Sequence, residues 1–133
     1  MDINDLRNIL LKDNHTIVIY RSDASLIFSD ERGVAPLMKL LSDDRLQLKG
    51  ALVADKVIGK AAALLMTYGY VKEVYTPIIS TPAIEVFKRH GIKTHYDIIV
   101  ERIINRKGDG LCPMETLCLN IDDPEEAFKL IKK

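Results

Sequence analysis

After residue 49 the sequence alternates between apolar runs and segments of helical periodicity, and this alternation limits the fold more than any other feature. The run at 50–55 is almost entirely apolar, and the runs at 71–79 and 96–104 are rich in β-branched residues. Helix-length segments separate the three runs, and crossovers of that length join parallel strands with right-handed connections. A strand without polar alternation is typical of a sheet that helices cover on both faces. The second half of the chain therefore predicts parallel strands inside an α/β fold.

The residues before position 49 predict a helix, an antiparallel hairpin and a second helix. Apolar residues recur at helical spacing over 3–12 and again over 34–41. Between them, the segments 16–21 and 24–30 have the composition of short strands and flank a Ser-Asp turn. Together with the parallel strands, this hairpin predicts a three-layer α/β/α sandwich with a mixed five-stranded sheet.

Three of the later helices have recognisable ends in the sequence. A helix over about 57–68 is followed by Gly69, which is typical of a left-handed C-terminal cap. Thr81 and Pro82 predict the next helix start, because threonine accepts from free N–H groups and proline suits the first helical position. Asp123 predicts the start of the last helix.

Length and charge favour a single domain over residues 1–133 with a small-molecule partner. Apolar residues make up 47% of the chain, enough for an ordinary core. Nineteen basic residues balance nineteen acidic ones, so no net field favours nucleic acid or an anionic membrane. The longest uncharged run, 61–71, is shorter than the ~20 residues of a spanning helix, and the N-terminus lacks signal-peptide features. We therefore expect a cytoplasmic protein with reduced cysteines, and a homo-oligomer is compatible with this composition.

Two strand-to-helix turns are candidates for a ligand pocket. In open α/β sheets, ligands bind beyond the carboxyl ends of parallel strands, where helix N-termini present free N–H groups. A glycine there lets a ligand approach the backbone, lysines supply charge, and serine or threonine supplies hydroxyls. The alternative is that these residues only cap helices, pack closely or face solvent. The candidate ligand-binding residues are Asp55, Lys56, Gly59, Lys60, Ser80 and Thr81.

A third candidate lies in the segment 107–115, where a Gly-Asp-Gly loop leads to Cys112 and Pro113. A cysteine at a helix N-terminus is stabilised as thiolate, so Cys112 is a candidate nucleophile with Glu115 in the first turn as a candidate catalytic partner. The alternative is a half-buried thiol that packs as a small hydrophobe. Cys118, further along the helical pattern, is expected in the core.

No established metal or phosphate motif occurs in the chain. The histidines, His15, His90 and His95, do not have the spacing of a metal site, and no Walker loop, GxGxxG or GxSxG is present. We therefore expect no metal, and no cofactor is certain, although a nucleotide or nucleotide-derived ligand fits the two turns.

With its hairpin and two helix starts, the chain resembles the cytidine deaminase-like superfamily, and within it a small uncharacterised prokaryotic domain family. In zinc deaminases the two helices begin with His/Cys-x-Glu and Pro-Cys-x-x-Cys. The corresponding segments here, DKVIGKAA at 55–62 and STPAIEV at 80–86, contain no histidine, no cysteine and no equivalent catalytic glutamate. The resemblance therefore implies a deaminase-like fold without zinc and without deamination.

A local resemblance connects the segment ADKVIGKAA at 54–62 with the sulfurtransferase family that matures formate dehydrogenase. The match falls on Asp55, Lys56, Ile58 and Gly59, with a weaker match at Ser80 and Pro82. That family has the deaminase-like fold, so the resemblance implies a pocket for a nucleotide-bearing cofactor. Its cysteine-pair loop has no counterpart here, so the resemblance does not extend to sulfur transfer.

The sequence favours a metal-free protein that binds a nucleotide-like or anionic small molecule. Two alternatives stay open: an enzyme that uses Cys112 as its nucleophile, with Glu115 or Lys60 assisting, and a structural or regulatory domain with a vestigial pocket.

Overall fold

The computed structural model describes residues 1–105 and 107–133. In these residues six helices and six strands follow one another along the chain: α1 (Ile3–Asp13), β1 (Ile17–Tyr20), β2 (Leu26–Ser29), α2 (Ala35–Asp43), β3 (Leu52–Asp55), β4 (Val57–Ile58), α3 (Lys60–Tyr68), β5 (Glu73–Ser80), α4 (Thr81–His90), β6 (Lys93–Val100), α5 (Pro113–Leu117) and α6 (Pro124–Lys132). A 3-10 turn, Arg45–Leu48, connects α2 to β3.

The strands form one mixed sheet. β1 lies between β2 and β3 and is antiparallel to both. On the other side β3 is parallel to β5, and β5 is parallel to β6. The antiparallel hairpin and the parallel strands predicted from the sequence are therefore confirmed.

The sheet has six strands rather than the predicted five, because the strand at 50–55 is followed by a second short one. Leu52 pairs with Glu73 and Val57 with Ile78, so β4 continues the line of β3 beside β5. In this alignment the break at Lys56 lies opposite Pro77, which has no N–H to donate. On the opposite edge of the strand, the Lys56 N–H donates to the Thr16 carbonyl at 3.0 Å, next to the pair of Ile17 and Asp55. The predicted helix over 57–68 therefore begins three residues late, at Lys60.

Strand β6 also differs from its predicted range of 96–104. Gly91 ends α4 in the left-handed conformation, with φ of 69°, and the chain enters the sheet at Lys93. Val100 pairs with Ser80, the last residue of β5. The strand therefore stops where its only partner strand in the described chain turns into α4, and the apolar residues after 100 leave the sheet.

Helices cover both faces of the sheet. On one face α1 packs its buried Leu6 and Leu10 against Val18, Ala54 and Tyr75. On the other face α2, α3, α4 and α6 share a larger core in which the alanine-rich α3 is almost wholly buried. No helix in the described chain has the length and apolarity needed to cross a membrane.

The end of α3 does not have the predicted left-handed Gly69. Gly69 has φ of −83°, and Tyr70 takes the left-handed conformation instead, with φ of 60°. The N–H groups of Tyr70 and Val71 donate to Thr67 and Met66 carbonyls, the pattern of a Schellman cap. Gly69 has a packing role, since a Cβ there would lie 2.9 Å from Cβ of Leu48.

Candidate functional site

A cavity of about 290 Å³ opens at the carboxyl end of β3, between β4, the start of α3 and α5. Its wall is mostly apolar: Ile17, Val34, Val57, Ala61, Ala62, Ile103 and Met114 contribute to it. The polar and charged residues that line it are Thr16, Arg32, Asp55, Lys56, Cys112 and Glu115. Four of these six are residues for which the sequence predicts a role in binding or catalysis.

Asp55 is the most unusual of these residues because its carboxyl group is buried with little support. The residue is 8% exposed, and its Oδ1 accepts only a long hydrogen bond, 3.4 Å, from the Val57 N–H. No lysine, arginine or histidine of the described residues forms an ion pair with it. Loss of water around the carboxyl, partly offset by backbone N–H groups, raises the pKa of Asp55 to about 8. At neutral pH it is therefore mostly a neutral acid, able both to donate and to accept a hydrogen bond.

Glu115 occupies the N-terminus of α3. Its two carboxylate oxygens accept from the N–H groups of Lys60, at 2.7 Å, and Ala61, at 2.9 Å. These are the N–H groups for which a bound anion was expected, and a negative charge here is favourable for the helix. The sequence contains no local signal of this cap, because Glu115 lies 55 residues beyond the helix start.

Gly59 is matched to Glu115. A Cβ at Gly59 would lie 2.5 Å from Cδ of Glu115, a distance that real Cβ atoms do not tolerate. The absence of a side chain at Gly59 therefore lets the Glu115 carboxylate reach the backbone. The sequence predicts that a ligand approaches the backbone at Gly59. In the structure the Glu115 carboxylate occupies that position.

The Lys60 side chain turns away from the cavity. Its Nζ lies 3.1 Å from Oδ1 of Asp122 and donates to the Leu119 carbonyl at 3.1 Å. The hydrogen bond from Lys60 lowers the pKa of Asp122. Lys60 therefore ties α3 to the segment before α6, and it is not among the described residues that line the cavity.

Ser80 and Thr81 do not line the cavity either. Ser80, not Thr81 as predicted, is the N-cap of α4: its buried Oγ accepts from the Ala83 N–H at 3.3 Å. Thr81 is the first helical residue, and its Oγ1 donates to the Val100 carbonyl at 3.4 Å. The structure therefore does not bring the two predicted turns into one site, and a ligand at Ser80 and Thr81 stays a prediction.

Two basic residues, Lys56 and Arg32, line the cavity. Lys56 is half-buried, and its Nζ donates to Oδ1 of Asn14. Arg32 is exposed, on the loop between β2 and α2. The sequence analysis missed Arg32, because nothing in the loop before Gly33 indicates that it folds over the end of β3.

Cys112 lines the cavity, whereas Cys118 does not. Cys112 is the half-buried N-cap residue of the short helix α5, as predicted, and its N–H donates to the Ile103 carbonyl at 3.0 Å. Cys118 is fully buried, as predicted, and burial together with the Glu115 charge raises its pKa. No group of three or more potential metal ligands occurs among the described residues.

The similarity of this chain to known proteins agrees with the observed fold. Residues 5–133 match the family model described as a domain of unknown function, DUF1893. The chain belongs to the DUF1893 family. A crystal structure of a DUF1893 family protein from Thermotoga maritima is similar to it, with 30% identity and a TM-score of 0.87, over 99% of this chain and 90% of that one. No protein with a curated description matches the sequence.

The DUF1893 match bears on the sequence-based resemblances in only one respect. It supports a small uncharacterised domain family, as expected. It does not confirm the cytidine deaminase-like fold or the likeness to the formate dehydrogenase sulfurtransferases, so both stay predictions.

Proposed function

We propose that this DUF1893 domain binds a compact, ring-bearing metabolite of nucleotide type in the cavity beside Asp55. The observation that carries the proposal is the Asp55 carboxyl, more than nine-tenths buried and held by a single long hydrogen bond at the wall of an apolar cavity. Burying a polar group without a good partner is unfavourable, and such groups are concentrated at functional sites. A ligand that hydrogen-bonds Asp55 would remove that cost.

The size and polarity of the cavity favour a small ring. Ligand pockets usually measure about 300–1,000 Å³, so 290 Å³ suits a single ring system with a short substituent. The neutral acid form of Asp55 donates through its O–H and accepts through its carbonyl. A ring with an acceptor beside an N–H donor, as on the edge of a nucleobase, matches that pair.

The anionic part of such a ligand belongs at the cavity mouth rather than at the start of α3. Glu115 already satisfies the N–H groups of Lys60 and Ala61, and its charge would repel a phosphate there. Arg32 and Lys56 supply the positive charge at the cavity. The local resemblance of the segment 54–62 to the sulfurtransferases that mature formate dehydrogenase implies a nucleotide-bearing ligand and includes Asp55 and Lys56.

The first prediction tests Asp55 as the polar anchor. Isothermal calorimetry with nucleobases, nucleosides and mononucleotides should identify a binding compound, and Asp55→Ala, which removes both the donor and the acceptor, should weaken its binding by about 1–3 kcal/mol, roughly 5- to 150-fold. The matched control is Asp43→Ala at the exposed last residue of α2, which should leave affinity unchanged. If the ring binds the neutral acid, affinity should fall as pH rises above about 8. The absence of binding by every compound, or unchanged affinity in Asp55→Ala, contradicts the proposal.

A second candidate function is cysteine-dependent catalysis, and one observation favours it. Cys112 and Asp55 line the same cavity. A ligand bound there would therefore lie beside both a thiol and a carboxyl group whose pKa is about 8. The carboxylate form of Asp55 could then accept the Cys112 thiol proton, the sulfur could bond to an electrophilic carbon of the ligand, and Asp55 could return the proton to the group that leaves that carbon. Mass spectrometry of the protein under native and denaturing conditions separates the two functions: a covalent adduct on Cys112 supports catalysis, and a ligand lost on denaturation supports binding. If neither is found, the remaining alternative is a structural or regulatory domain with a vestigial pocket.

A further inference from the structure

Strand β6 forms one edge of the sheet. Seven of its eight residues pair with β5 on one side, and on the other side it pairs with no strand of the described chain. An unpaired strand edge presents free N–H and C=O groups that can add another strand. Natural proteins usually protect such edges by shortening them, bulging them or placing charges on them.

The middle of this edge is unusually apolar for an exposed strand. Tyr96, Ile98 and Ile99 are 41%, 56% and 51% exposed. Because successive side chains of a strand point to opposite faces, Tyr96 and Ile98 lie on one face of the sheet and Ile99 on the other, so exposed apolar side chains flank the open edge on both faces.

The charges on β6 do not protect its centre. The Asp97 carboxylate accepts from the Tyr75 hydroxyl of β5 at 2.5 Å, so it is held toward the neighbouring strand. Lys93 lies at the first residue, away from the apolar centre. Both features leave residues 96–100 open for pairing.

We propose that β6 pairs with β6 of a second copy in an antiparallel, two-fold symmetric dimer centred on Ile98. In this register Ile98 faces Ile98 of the second copy, and Tyr96 faces Val100 on each side of the axis. Asp97 faces Ile99, so no like charges lie opposite each other. Glu101, the first residue beyond β6, would lie near His95, whose Nε2 is already 2.6 Å from Oε2 of Glu73. The two edges are self-complementary, as a two-fold interface requires.

The oligomeric state of the purified protein is the first test. Light scattering coupled to size exclusion, over a concentration series, should give twice the chain mass for the wild type. Ile98→Asp places two carboxylates opposite each other at the axis and should give a monomer. The matched control is Leu46→Asp, since Leu46 is also exposed, at 60%, but lies on the 3-10 turn outside β6. It should remain a dimer.

A cysteine cross-link tests the register itself. Residues that face each other in antiparallel strands have Cα atoms about 4.5–5.5 Å apart, within the range of a disulfide. In a Cys112→Ser background, Ile98→Cys should therefore form a covalent dimer on mild oxidation. Tyr96→Cys should not, since its two thiols would lie about 13 Å apart along the strands.

Circular dichroism and unfolding curves establish that each variant is folded before its result is interpreted. A monomeric wild type at every concentration, or a dimeric Ile98→Asp, overturns the proposal. Efficient cross-linking by Tyr96→Cys and not by Ile98→Cys overturns the register. These measurements report the oligomeric state and the strand register and not ligand binding, so their outcome is distinguishable from that of the proposed ligand.

Discussion

At the scale of single residues, Asp55 links stability to pH. Its pKa is raised from 3.8 to about 8 on folding, so between these values the folded chain holds a proton that the unfolded chain has released. The unfolding free energy should therefore decrease as pH rises from about 4 to about 8, by up to about 1.4 kcal/mol per pH unit from this group. Urea unfolding across that range should show a shallower decrease in Asp55→Asn. Parallel curves for the two proteins would rule out a raised pKa.

The two cysteines differ in access to solvent. Cys112 is half-buried at the cavity wall, whereas Cys118 is fully buried and its pKa is raised by burial and by Glu115. Iodoacetamide should therefore label Cys112 well before Cys118 at neutral pH, because both access and thiolate formation oppose reaction at Cys118. Peptide mass spectrometry over a time course measures both rates. Equal, slow labelling of both would count against Cys112 as a nucleophile, and a bound ligand should slow labelling of Cys112 alone.

At the scale of elements, the contact between α5 and α3 depends on Glu115 and Gly59. Glu115→Ala should destabilise the fold by about 1–2 kcal/mol, because it removes the cap from the buried N–H of Ala61 and the partly buried N–H of Lys60. Gly59→Ala should cost about 1–3 kcal/mol by forcing the Glu115 carboxylate away.

The two substitutions act on one contact, so their effects should not add. With Glu115 shortened to alanine, the methyl group of Gly59→Ala no longer meets a carboxylate, and the double variant should be more stable than the sum of the single effects. Urea unfolding of the wild type, both single variants and the double variant measures this coupling. Strict additivity would show that the two residues stabilise the fold independently.

At the scale of the whole molecule, the cavity results from the way the sheet is interrupted. β3 and β4 lie on one line beside β5, and the break between them places Asp55 and Lys56 at the wall of the cavity. The loop carrying Arg32 and the loop carrying Cys112 come from opposite halves of the chain and meet at that break. The proposed dimer edge, β6, lies on the far side of β5 from β3, so ligand and partner would use different regions.

The sequence by itself determined the order and direction of the main elements. Apolar runs, helical spacing and helix-length crossovers are local patterns, and they correctly predicted the hairpin, the parallel strands β3, β5 and β6, and the helices on both faces. The Cys112-Pro113 helix start and the buried Cys118 were predicted for the same reason. In each case the physical cause lies within a few residues of the feature.

Only the tertiary structure decided which residues share a site. The cap of α3 comes from Glu115, and Ser80 and Thr81 serve α4 away from the cavity. Neighbours distant in sequence also decide local packing: a Cβ at position 69 would lie 2.9 Å from Cβ of Leu48, and the left-handed residue of this turn is Tyr70 rather than Gly69. Burial and long-range contacts arise only when the chain is folded, so the spacing of neighbouring residues in the sequence does not predict them.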